Sequence, residues 1–95
     1  MRISASEQVQ RWLVSLPPDP KRRVRAALRG LQKGHGDIKA LRGDLEGFCR
    51  LRVGGLRIVY SQHPGKVIRL GYADSRDLVY ETFLGVLRER QMRKQ

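Results

Sequence analysis

The sequence predicts an α+β fold: an N-terminal helical hairpin packed on a small antiparallel sheet, closed by a C-terminal helix. Three observations carry this. Apolar residues recur every three to four positions from Val9 to Leu31. From Phe48 the pattern changes to alternation, interrupted by Gly-Gly and Pro-Gly pairs. After residue 77 helical spacing returns, with Val79, Phe83, Val86 and Leu87. Helices grouped together and strands grouped together give segregated layers rather than a parallel α/β sheet. A chain of 95 residues has room for one hydrophobic core, so residues 1–95 are expected to form a single domain.

The elements follow in order. Met1 to Ser4 can pair as a short first strand. Ser4 followed by Glu7 has the spacing of a capping box and predicts a helix start. Val9, Trp12, Leu13 and Leu16 give that helix one apolar face, and Pro17-Pro18 ends it. Asp19-Pro20 reads as a helix cap followed by Pro at the first helical position. Val24, Ala27, Leu28 and Leu31 then form a second apolar stripe, which Gly34 and Gly36 terminate. Two amphipathic helices joined by so short a turn predict an antiparallel hairpin.

Residues 48–53 alternate, with Cys49, Leu51 and Val53 on one side and Phe48, Arg50 and Arg52 on the other. Gly54-Gly55 predicts a tight hairpin turn. Leu56, Ile58 and Tyr60 then oppose Arg57 and Val59. Pro64-Gly65 makes the next turn, and Ile68, Leu70 and Tyr72 oppose Val67 and Arg69. The expectation is a three-stranded meander with one apolar face, covered by the helical hairpin, and one Arg-bearing face. Residues 73–77 form a polar loop in which Asp77 can cap the last helix.

Composition bounds the function. Lys and Arg number 20 against 9 Asp and Glu, giving a formal charge of +11 and a pI near 11.1. Fifteen of the twenty are Arg, whose planar guanidinium binds phosphate and carboxylate in a fork. A polyanionic partner is therefore expected. No apolar run approaches the roughly 18 residues of a membrane span, and no charged segment leads into an apolar stretch as in a secretory signal; no membrane partner is expected. A single Cys49 forms no internal disulfide, which fits a reducing cytoplasm. One Cys and two isolated His make a four-ligand zinc site unexpected, and no other cofactor is implied.

The chemistry concentrates on the strands. Alternation places Arg50, Arg52, Arg57 and Arg69 on one sheet face, and no carboxylate accompanies them on the three predicted strands. Such a face is either solvated or matched by an anion, because burying it against apolar groups is costly. Other candidates read as ordinary structure: His35 and His63 as loop residues, Cys49 and Trp12 as core. Arg22, Arg25 and Arg29 lie along one outer helix face, where they are solvated or dock RNA phosphates.

Leu41-Arg42-Gly43, then Arg50-Leu51-Arg52-Val53-Gly54, Arg57-Ile58-Val59-Tyr60 and Arg76-Asp77-Leu78-Val79-Tyr80 together resemble the RelE/ParE toxin superfamily of bacterial toxin–antitoxin systems. The resemblance covers nearly the whole chain; the ordered set is specific, no single piece is. It implies a RelE-like fold and one of two activities. RelE-type members enter the ribosome and cleave messenger RNA. ParE-type members inhibit DNA gyrase without RNA cleavage. In both cases a cognate antitoxin neutralises the toxin.

By position, the resemblance makes Arg57 the residue that stabilises the reacting phosphate and Tyr80 the terminal Tyr of RelE-like sites. Arg50 and Arg52 fall where substrate phosphates are bound, and the shared Arg face adds Arg69 to the binding candidates. A RelE-type catalytic Arg lies six residues before that Tyr; here the position holds Asp74, and Arg76 is the candidate substitute. Metal-free RNA cleavage needs a base for the 2′-hydroxyl, cations for the crowded phosphate and an acid for the leaving oxygen. Arg supplies cations but does not deprotonate. A phenol serves as base when neighbouring cations stabilise its phenolate. Asp74 and the want of a clear acid–base pair favour the gyrase alternative; the Arg face with Tyr80 favours a ribosome-dependent mRNA endonuclease.

Overall fold

A computed structural model describes residues 2–75 and 79–93 of the chain. The elements are β1 (Arg2–Ala5), α1 (Glu7–Ser15), α2 (Pro18–Gln32), β2 (Asp37–Ala40), a 3-10 turn (Gly43–Leu45), β3 (Phe48–Val53), β4 (Leu56–His63), β5 (Val67–Asp74) and α3 (Val79–Arg93). The expected α+β arrangement is present, with a larger and differently connected sheet.

Both early helices start elsewhere than expected. Ser4 is committed to β1, so Ser6 caps α1: its hydroxyl accepts the Val9 N–H at 3.3 Å and donates to the Gly71 carbonyl at 2.8 Å. That one side chain ties the start of α1 to β5. The second helix begins two residues early, with Pro17 at the cap and Pro18 and Pro20 in the first turn. Proline fits there because the first-turn N–H groups have no partner within the helix. Asp19 is thus helical and pairs with Arg22 at 3.2 Å.

The sheet has five strands in the order β1-β5-β4-β3-β2. The meander β3-β4-β5 is antiparallel throughout. On one edge β1 lies parallel to β5, pairing Ile3 with Ile68 and Ala5 with Leu70, which makes the sheet mixed rather than wholly antiparallel. On the other edge β2 pairs antiparallel with β3. The four residues of β2 are all exposed, and their alternation is too short to mark a strand by itself. Gly54 turns the β3–β4 hairpin with φ +60°, the left-handed region that tight hairpin turns require at their first central residue.

One register shift redirects β5. Val59 pairs with Tyr72 while Tyr60 pairs with Leu70, leaving Gly71 as an extra residue. Such a bulge moves every later side chain to the other face. Tyr72, expected beside Ile68 and Leu70, therefore points away from the helical hairpin, and Ala73 takes the inner place, fully buried. Gln8 of α1 brackets Ala73, donating to its carbonyl at 2.7 Å and accepting its N–H at 2.9 Å.

The described residues build two apolar clusters, not one. On one face α1 and α2 cover Leu51, Ile58, Tyr60, Ile68 and Leu70 with Val9, Val24 and Leu31. On the other, α3 lays Val79 and Phe83 over Leu45 and Val59, with Phe48 and Tyr72 alongside. Phe83 meets Phe48 edge-on at 5.1 Å between ring centres and lies tilted over Tyr72 at 6.0 Å. A Cβ on Gly71 would sit 3.0 Å from the Phe83 ring, so glycine at the bulge lets α3 pack close without displacing that ring. The Arg-bearing face is thus half covered: Val59, from the Arg57 side of β4, is 0% exposed. None of the described helices is long and apolar enough to cross a membrane.

Candidate functional site

The half of that face left open by α3 lies towards the β3–β4 hairpin. There Lys39, Leu41, Arg50, Arg52, Arg57 and Tyr80 line a pocket of about 340 Å³. Strand parity brings them together. Arg50 and Arg52 are two apart on β3, and Arg57 sits directly opposite Arg52 on β4. Lys39 sits opposite Arg50 on β2. Tyr80, in the first turn of α3, reaches in from the covering helix while packing half-buried against the second cluster.

The pairing forms a charged row across four strands. Asp37 is opposite Arg52, Arg52 opposite Arg57, and Arg57 opposite Asp74. Asp37 accepts a hydrogen bond from Arg52 Nε at 2.8 Å and stands 3.6 Å from Arg50 Nη2. The Arg50 side chain is only 11% exposed, so this cation is held largely out of water and its partner matters. Arg57 Nη1 donates to the Gly55 carbonyl at 3.0 Å, which anchors its guanidinium to the hairpin turn. At the far end Asp74 accepts the N–H of Ser75 at 2.6 Å. Four cations thus meet one phenol, with carboxylates at the two flanks: an arrangement suited to gripping a phosphate chain.

The other predicted residues are placed apart from it. Arg69 shares the face, as alternation predicts, but pairs with Ser61, four residues beyond Arg57 along β4. At ~3.3 Å per residue that is roughly 13 Å away, across the strip that α3 covers. Its Nη1 donates to Ser4 Oγ at 3.3 Å. Arg76, and Asp77 as the expected helix cap, lie outside the described residues. Lys39 and Asp37 belong to the site and were not anticipated; the alternation Asp37-Ile38-Lys39-Ala40 was the available signal.

The remaining titratable and aromatic candidates keep away from the pocket. His63 shares a 2.8 Å hydrogen bond with Ser61 at an exposed strand end, and His35 is exposed after α2. Trp12 packs half-buried against the first cluster. Cys49 is half-buried opposite Tyr60. The Tyr60 hydroxyl is pushed up to about 12 by burial first, then by the charge of and hydrogen bond to the neighbouring Cys49 thiol. Arg22, Arg25 and Arg29 are exposed on α2, which packs against the opposite sheet face.

No protein-family model and no curated protein matches the chain. Solved structures do. An archaeal RelE–RelB complex from Pyrococcus horikoshii OT3 matches at 28% identity and a TM-score of 0.65, over 80% of this chain and 94% of that one. The toxin–antitoxin complex RelBE2 from Mycobacterium tuberculosis matches at 23% identity and a TM-score of 0.68, over 79% and 96%. A YoeB/ParE toxin from Agrobacterium tumefaciens matches at 16% identity and 0.65, over 77% and 95%. In fold, this chain is similar to the proteins of these solved toxin–antitoxin structures, over about four fifths of its length.

Proposed function

We propose that the chain is the toxin of a type II toxin–antitoxin pair and acts as a RelE-like endoribonuclease on messenger RNA in the ribosome. The observation that carries this is the pocket in which Lys39, Arg50, Arg52 and Arg57 face Tyr80. The 2′-hydroxyl of the substrate attacks the adjacent phosphorus, the 5′-oxygen leaves, and a cyclic phosphate remains. Arg57 and Arg52, opposed across two strands, stabilise the charge that builds on the phosphoryl oxygens. Arg50 and Lys39 hold the flanking phosphate. Tyr80 is the group in the pocket able to exchange a proton with the reacting oxygens. A cognate antitoxin holds the protein inactive, by likeness to neighbours solved as toxin–antitoxin complexes, and the site of action is the cytoplasm.

One residue favours the gyrase alternative: by the resemblance, Asp74 takes the place of a RelE-type catalytic Arg, and it ends the charged row beside Arg57. Controlled expression in cells separates the two readings. Translation arrest with messenger cut inside codons is the expected result, and co-expressing the gene encoded beside this one is expected to restore growth. Double-strand DNA breaks with an SOS response and intact messenger would instead establish the gyrase reading.

A further inference from the structure

Beside the pocket stands a carboxylate that the proposed chemistry does not use. Asp37 lies on the edge strand β2 and touches both Arg52, through Nε at 2.8 Å, and Arg50, at 3.6 Å. Each of its oxygens faces a different guanidinium. An RNA phosphate approaching Arg50 and Arg52 would present two oxygens to the same two groups.

Resting on the RNA-cleaving reading above, we propose that Asp37 is the resident counter-ion of the empty pocket, holding Arg50 and Arg52 side by side until an RNA phosphate displaces it. Two features support this. Arg50 is largely buried, so in the absence of substrate it needs an anion close by. Asp37 itself is about half exposed and stands on a short, exposed edge strand, so releasing it costs little packing. A fully buried carboxylate would lock the pocket shut; one at the rim exchanges. Asp37 is in this account a positioning and affinity-setting residue, not a catalytic one. It keeps the cationic pocket assembled and lowers its affinity for RNA that is not presented in the correct geometry.

The test is binding of a single-stranded, 2′-O-methylated oligonucleotide, which cannot be cleaved, by fluorescence anisotropy across a salt series. Asp37→Asn is expected to tighten binding about tenfold near 0.1 M salt. The plot of log affinity against log salt is expected to steepen by about 0.7, the increment for one further phosphate contact on a single strand. Asp19→Asn makes the same change in net charge on α2, where Asp19 pairs with Arg22, and is expected to shift affinity less than threefold. Equal effects of the two substitutions would reduce the role of Asp37 to net charge and overturn the proposal, as would weaker binding by Asp37→Asn. Should that variant lose its fold by circular dichroism, the Arg52 Nε–H resonance of the wild-type protein decides. It is expected to move on titration with the oligonucleotide, and an unmoved resonance at saturation overturns the displacement. Wild-type protein that fails to bind the oligonucleotide even at low salt would bring down the RNA reading itself, and this proposal with it.

Discussion

Arg52 and Arg57 stand directly opposite one another on β3 and β4, two like charges in neighbouring cross-strand positions. Such a pair is ordinarily destabilising. Asp37 and Asp74 continue the same row on either side, so the row alternates minus, plus, plus, minus across four strands. An added negative charge at the middle of that row relieves the repulsion between its two guanidinium groups.

Removing one member tests that relationship. Arg57→Ala is expected to reduce messenger cleavage about 100-fold or more, the usual loss when a group stabilising transition-state charge is deleted. The melting temperature should shift by only a few degrees, because the lost hydrogen bond to the Gly55 carbonyl is offset by relief of the repulsion with Arg52. Single-turnover cleavage and a thermal melt measure the two. Retained cleavage would remove Arg57 from the site.

Tyr80 has two possible duties, packing under α3 and proton exchange in the pocket, and Tyr80→Phe separates them. The substitution keeps the ring and deletes the hydroxyl. Cleavage is expected to fall at least tenfold while oligonucleotide affinity and melting temperature hold. An unchanged rate would leave Tyr80 as a packing residue.

The Gly71 bulge makes a packing prediction. Gly71→Ala sets a methyl 3.0 Å from the Phe83 ring and should destabilise the protein by about 1–3 kcal/mol, the usual cost of overpacking. Combining it with Phe83→Leu should cost less than the sum of the two single changes, since the smaller side chain frees the space. Strict additivity in denaturant melts would show that the two positions do not touch.

Tyr60 gives a pH dependence with a definite sign. Its hydroxyl titrates near 12 in the folded protein, against about 10 when unfolded. Between those values the unfolded chain has lost the proton and the folded one retains it, so unfolding is favoured as pH rises. The contribution is complete below pH 10 and is lost progressively towards pH 12. At about 1.4 kcal/mol per pKa unit it amounts to roughly 2–3 kcal/mol. Between pH 9 and 12 in urea melts, wild type is expected to lose stability relative to Tyr60→Phe by that amount; a difference that does not change with pH would contradict the assignment.

The legibility of the site differed from residue to residue. Arg50, Arg52 and Arg57 were readable because side-chain direction in a strand follows from parity alone. Arg69 obeyed the same parity yet lies apart, since parity assigns a face and says nothing of position along it. Asp37 and Lys39 are not legible because four residues of alternation, all exposed, are too few to mark a strand, and only pairing with β3 makes it one.

The sequence by itself determined the helical hairpin, the meander, the covered apolar face and the excess of guanidinium groups, because these depend on local periodicity and charge. Tertiary structure alone decided the rest. It set where α3 lies, through the fit of Phe83 over Gly71; which face Tyr72 joins, through the register shift beside it; and which charges share a pocket, through the pairing of β2 with β3. Each of these depends on contacts between residues distant in the chain, where energies of packing and hydrogen bonding, rather than local spacing, choose between arrangements.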